Sequence, residues 1–108
     1  MLEIFQIPVL NDNYIYLITD AKTGKTACVD PAVPEPVIEK LEEFDKKLDF
    51  ILNTHHHYDH VGANLKLQKK YKCEVVGNEK DKARIPGISI FVNEGDTFKL
   101  GDSMCRVI

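Results

Sequence analysis

The sequence predicts a layered α/β domain built on a mixed sheet, and three observations predict it. The apolar period changes along the chain. Strand-sized apolar runs reach Val29, helical spacing follows at Val37, Ile38, Leu41 and Phe44, and strand-sized runs then return. Turn-forming clusters separate the runs at Asn11-Asp12-Asn13, Asp20 to Lys25, Asn93 to Asp96 and Gly101-Asp102. The resulting order, β-β-β-α-β-α-β and then further strands, is that of helices laid on a mixed sheet. A chain of 108 residues, 44% of them hydrophobic, suits one domain or part of one.

Leu2 to Val9 is apolar and β-branched enough for a strand, with Pro8 and the Asn11 cluster at its end. Tyr14 to Thr19 forms a second strand. Asp20 to Lys25 is a hairpin connection with its glycine late, as a bulged turn requires, and Thr26 to Val29 returns as the third strand. The helix that follows has Pro34 and Pro36 at its entrance, where a missing N–H costs nothing. Glu35 lies in or near its first turn, Lys46-Lys47 in its last, and Leu48 closes the run. Asp49 to Asn53 reads as a buried strand. Ala63 to Tyr71 is helical, Cys73 to Val76 is a strand ending at Gly77, and Glu79 to Arg84 is a short helix. Ile88 to Val92, Thr97 to Leu100 and Met104 to Ile108 are strands. The last of them stops on apolar residues with no cap or polar tail, so the expectation is a domain cut short at its C-terminus.

Composition narrows the function. Net charge is −3 with acids and bases interspersed, so no basic stripe points to nucleic acid and no basic amphipathic helix to a membrane surface. The longest apolar runs fall far short of a bilayer span, and Met1 to Phe5 lacks the basic and apolar regions of a secretion signal. Cys28, Cys73 and Cys105 are odd in number and without motif spacing, which predicts buried thiols in a reducing, cytoplasmic setting.

All four histidines, His55, His56, His57 and His60, fall within six residues, with Asp59 among them. Imidazole and carboxylate are first-choice ligands for zinc and its neighbours. In an extended segment His55, His57 and Asp59 project to one side, and His56 and Tyr58 to the other. His60, where the chain begins to coil, swings back toward the same pocket. Four donors thus converge from one loop at the end of a buried strand, where α/β proteins usually place their sites. The alternating spacing, the embedded Asp59, the strand before and Gly62 after argue against a solvated turn that binds metal by chance. Two imidazoles on one ion, with a carboxylate and an imidazole on another, make two half-sites, each short of at least one ligand. No histidine follows residue 60. Acids such as Glu94, Asp96 and Asp102 lie downstream, and Cys105 is the thiol best placed in sequence to complete a site.

Thr54-His55-His56-His57-Tyr58-Asp59-His60-Val61-Gly62 resembles the T-H-x-H-x-D-H-x-G signature of the metallo-β-lactamase fold superfamily. Three consecutive histidines followed by an aromatic, the opening Asn11-Asp12-Asn13-Tyr14-Ile15-Tyr16-Leu17 and the turn Val29-Asp30-Pro31 make it most similar to the hydroxyacylglutathione hydrolases, or glyoxalase II enzymes. The likeness runs from about Ile4 to Ile108 and covers only the first half of that family's enzyme. It implies the N-terminal half of an αββα sandwich, with residues 1–108 a partial domain and the helices on one face of the sheet. It implies two divalent metal ions, zinc first, with iron and manganese also suited to these donors. His55 and His57 would bind one ion, Asp59 and His60 the other, and His56 neither. Asp59 would also orient the catalytic hydroxide, and Asp30 would brace the histidine loop without binding metal. Ala63 departs from the pattern, where a second glycine usually precedes the asparagine matched by Asn64.

The implied reaction is hydrolysis of a glutathione thioester. A metal-bridging hydroxide attacks S-lactoylglutathione and yields glutathione and D-lactate, which disposes of methylglyoxal. The remaining ligands and the glutathione-binding residues would lie beyond Ile108, so the expectation for the bare 108-residue chain is inactivity and self-association through uncovered apolar surface. Three alternatives stand beside this reading. They are another hydrolase of the superfamily (a lactonase, β-lactamase or nuclease), an iron-dependent persulfide dioxygenase, and an inactive metal-binding fragment.

Overall fold

The protein is described by a computed structural model for residues 2–9, 13–54 and 61–107. The expected turn at Asn11-Asp12, the segment 55–60 and the last residue of the final strand lie outside them. Strand β1 (Leu2–Val9) pairs antiparallel with β2 (Asn13–Asp20) from Leu2↔Asp20 to Val9↔Asn13, and β2 pairs antiparallel with β3 (Thr26–Val29). The turn between β2 and β3 places Gly24 at φ 78°, the left-handed value that its late glycine suggested. Three parallel strands continue the sheet in chain order: β4 (Phe50–Leu52), β5 (Glu74–Asn78) and β6 (Ile90–Val92). Parallel neighbours need a crossover, and helices α1 (Glu35–Glu43) and α2 (Asn64–Tyr71) lie within the first two. Strands β7 (Thr97–Leu100) and β8 (Ser103–Arg106) form a separate antiparallel pair.

Strand alternation and register decide which side is the core. Ile7 stands opposite Ile15, Leu17 opposite Cys28, Cys28 opposite Ile51, and Ile51 opposite Val75. These residues make one apolar row across five strands, and all are buried. Val37 and Leu41 of α1 and Leu67 of α2 join the same buried cluster, so both helices cover this one face, as expected. Each aliphatic side chain removed from water here contributes roughly 1.5–3 kcal/mol. The other face is covered differently. Phe98 of β7 meets Phe50 of β4 edge-on, with ring centroids 4.9 Å apart and planes at 87°. Nearer β1, Ile4, Tyr14 and Tyr16 remain exposed.

Asp20 ties the strand pair to the sheet. Its carboxylate accepts hydrogen bonds from Thr23 N–H (3.0 Å), Thr23 Oγ1 (2.6 Å), Asp102 N–H (3.2 Å) and Ser103 Oγ (2.6 Å). These donors hold the carboxyl well below its usual pKa, the Ser103 hydroxyl most strongly and the Thr23 hydroxyl next. Gly101, at φ 59°, passes so close that a Cβ would collide with Thr23 Oγ1 and the Asp20 carboxylate.

Several element ends differ from the expectation, β6 starting at Ile90 and β8 ending at Arg106 among them, and three have a clear local setting. Helix α1 stops at Glu43 instead of running to Leu48, so Lys46-Lys47 are not in its last turn and Lys40 is. The reason is local. Asp45 takes φ 54°, Lys46 N–H donates to Leu41 O (2.8 Å) and Asp45 N–H to Glu42 O (3.1 Å). This paired closure usually carries glycine, and Asp, which tolerates the left-handed region better than most residues, occupies it here. Leu48 is buried all the same, in the connection to β4. Gly77 does not end β5, which continues to Asn78. A Cβ on Gly77 would lie 2.6 Å from Ile85 Cδ1, so the glycine admits a close neighbour inside the strand. The short helix expected at Glu79 to Arg84 is a 3-10 turn, Glu79–Asp81, whose Lys80 N–H donates to Asn78 Oδ1 at 2.8 Å.

Candidate metal centre

Strands β3, β4 and β5 run side by side in the same direction, with Val29, Leu52 and Val76 in register. Their carboxyl ends therefore reach one edge of the sheet together, the edge at which parallel α/β sheets build their sites. Asp30 leaves β3 there, Asn53-Thr54 leave β4, and Asn78 closes β5. Two backbone bonds extend the ladder past the strand ends, Asp30 N–H to Leu52 O (3.0 Å) and Asn53 N–H to Val76 O (2.9 Å).

The segment 55–60, with His55, His57, Asp59 and His60, lies outside the described residues, and its flanks are well defined. On the entering side, the Asp30 carboxylate accepts from Thr54 N–H at 2.7 Å and from the Thr54 hydroxyl. Asp30 is buried and sits at φ 52°, a left-handed conformation that aims its side chain across to the end of β4. Asp30 thus grips Thr54, the residue immediately before His55. On the leaving side, Ala63 N–H donates to Pro31 O at 2.9 Å, so the Asp30-Pro31 turn holds both ends of the segment. Ala63, at φ −98°, is in an ordinary conformation for an L-residue and is fully buried. The departure from glycine therefore costs no backbone strain.

Sequence reasoning missed a second clip. Asn64 Nδ2 donates to Asn53 Oδ1 at 2.6 Å and to Pro86 O at 3.1 Å, joining the two ends of the segment by side chains. Asparagines at both boundaries were the available signal, but nothing in their spacing announced a bond.

A cleft of about 270 Å³ opens between this edge and β8, lined among others by Asn53, Thr54, Asn78, Phe98, Cys105 and Arg106. Cys105, weighed as a sulfur donor, thus borders the same cleft as Thr54, and burial raises its thiol pKa. Glu94 and Asp96 sit in the turn between β6 and β7, where Asp96 Oδ2 accepts from Asn93 N–H (2.7 Å). Asp102 lies instead beside Asp20, with its carboxylate 3.5 Å from Lys22 Nζ. Cys28 and Cys73 are buried and free, as expected. Burial, then the Asp30 carboxylate and Cys73, push the Cys28 thiol well up, and burial pushes Cys73 to about 11.

Among the described residues no three His, Cys, Asp or Glu side chains converge on a common point. The fit to metal rests on the residue types of segment 55–60, four histidines and an aspartate, in a chain whose flanks on both sides are tied to the Asp30-Pro31 turn. No helix among the described residues is long and apolar enough to cross a membrane.

Fold and sequence together define a layered α/β protein with an imidazole- and carboxylate-rich segment following β4, residue types that suit divalent metal. Residues 10–96 match the model of the metallo-beta-lactamase superfamily, and the chain belongs to that family. It is 51% identical over 108 residues to the hydroxyacylglutathione hydrolase of Methylococcus capsulatus, an alignment covering 100% of this chain and 42% of that protein. It is 47% identical to the hydroxyacylglutathione hydrolase of Rippkaea orientalis, covering 99% of this chain and 42% of that one. The chain thus spans less than half the length of these relatives. Among solved structures, ETHE1 from Myxococcus xanthus superposes with a TM-score of 0.80 at 28% identity, over 94% of this chain and 45% of that one. BJP-1, a subclass B3 metallo-beta-lactamase of Bradyrhizobium japonicum, gives 0.72 at 24% identity over 86% and 44%, a likeness of fold alone.

Proposed function

We propose that this chain is part of a metal-dependent hydrolase of glutathione thioesters, acting on S-lactoylglutathione to release glutathione and D-lactate in the cytoplasm. The observation that carries the reading is the 51% identity to a hydroxyacylglutathione hydrolase across the whole chain. His55 and His57 would hold one divalent ion, and Asp59 and His60 a second, with zinc the first choice. When bound, such ions lower the pKa of water toward neutrality and so supply a nucleophile at working pH. Asp59 would also orient the attacking water toward the thioester carbonyl. Asp30, through Thr54, keeps the segment's entry from shifting as the donors are loaded. Thiolate is a good leaving group, so no strong general acid is required of the chain.

Substrate choice separates this reading from its nearest rival. The complete natural protein carrying this chain, purified with metal, is given S-D-lactoylglutathione and, separately, glutathione persulfide with oxygen. Loss of thioester absorbance without oxygen uptake is expected. Oxygen consumption with the persulfide and no thioester loss would replace the hydrolase with the dioxygenase.

A further inference from the structure

Asn64 is fully buried, and both hydrogens of its amide are spent, one on Asn53 Oδ1 and one on Pro86 O. A backbone carbonyl can only accept, so Pro86 fixes which way the amide faces. Its own oxygen, Oδ1, is buried without a hydrogen-bond partner among the described residues. A buried unpaired acceptor costs free energy, and a leucine of similar shape would fill the space without that cost. What leucine could not do is hold Asn53. Asn53 is also buried, and it is the residue at which β4 gives way to Thr54 and the histidine segment, while Asn64 opens α2 just beyond it. The 2.6 Å bond therefore spans the segment from one end to the other. Pro86 adds a third anchor from the connection between β5 and β6.

We propose that Asn53 and Asn64 are positioning residues for the metal centre: their side-chain bond sets the gap across which residues 55–60 present their donors. The proposal rests on the metal-binding reading above. A bond that ties Asn53 to Asn64 restrains the chain between them, and a restrained chain loses less freedom when metal arrives. Groups that orient ligands from behind commonly change metal affinity 10- to 100-fold, roughly, when removed.

The test uses the complete natural protein, with zinc affinity measured by chelator competition and the visible spectrum of the cobalt-substituted form. Asn64→Leu and Asn53→Ala break the same bond from opposite ends. Each is expected to weaken zinc by about tenfold or more and to shift the cobalt bands. The double variant is expected to lose no more than about twofold beyond the worse single, because both act through one bond. Zinc affinity and cobalt spectrum at wild-type values in Asn53→Ala, even with a lower melting temperature, would mark a structural role and overturn the proposal. So would losses that multiply in the double variant. If Asn64→Leu does not fold, Asn53→Ala alone decides by the same readouts. A wild-type protein that holds no zinc or cobalt would instead overturn the functional reading underneath.

Discussion

The Asp30 carboxylate accepts both hydrogens that Thr54 can offer, the backbone N–H at 2.7 Å and the hydroxyl, across 24 residues of chain. Asp30→Ala removes both acceptors and puts an alanine at φ 52°, which strains the backbone as well. Asp30→Asn keeps one acceptor and tolerates the left-handed conformation better. The expected order of metal affinity in the complete protein is wild type, then Asn, then Ala, with the Ala loss about 10- to 100-fold. Competition with a zinc chelator measures it, and equal affinities across the three would refute the bracing role.

Asp20 links the β2–β3 turn to the β7–β8 pair through four hydrogen bonds. Its folded pKa lies below the ordinary 3.8, so the stabilisation is complete above that pH and is lost as pH falls beneath it. Asp20→Asn is expected to lower the melting temperature at pH 7 and to flatten the decline below pH 4. Thermal melts from pH 2 to 7 would show it, and a variant with an unchanged acid limb would disprove the assignment.

Cys73 gives the opposite sign. Burial raises its pKa from 9.0 to about 11, so between those values the unfolded chain has lost a proton that the folded chain retains. The stabilisation is complete below pH 9 and disappears as pH rises toward 11. Denaturant titrations from pH 7 to 11 should show a shallower alkaline decline for Cys73→Ala than for wild type. Parallel curves would mean that the thiol ionises freely.

A Cβ on Gly77 would lie 2.6 Å from Ile85 Cδ1 and 3.1 Å from Ile88 Cδ1. Gly77→Ala is expected to destabilise by about 1–3 kcal/mol, since the ends of two isoleucine side chains must move inside a packed layer. Ile85→Val should recover part of that loss, and a Gly77→Ala protein as stable as wild type would show that the layer yields freely.

Much of this architecture was legible beforehand because it follows from period and turn chemistry. The alternation in Tyr14 to Thr19 put Ile15 and Leu17 on the buried face, and the helical spacing put Val37 and Leu41 there. The contact of Asp30 with Thr54 was not legible from spacing, because it joins the ends of two neighbouring strands 24 residues apart in the chain. The end of α1 was hidden because Asp45 does the work usually given to glycine. Gly77 misled for the converse reason: a glycine that normally punctuates served here to admit Ile85. The Asn53–Asn64 bond was invisible because asparagine at a strand end or a helix start is ordinary, and only tertiary placement brings the two amides together.

The decisive experiment strips metal from the complete natural protein with a chelator, follows S-D-lactoylglutathione hydrolysis, and then restores zinc stepwise. The account predicts that hydrolysis disappears on stripping and returns as zinc is added, reaching its plateau near two equivalents per chain. Hydrolysis that survives complete removal of metal, or that fails to return at any zinc level in a protein still folded, would contradict it.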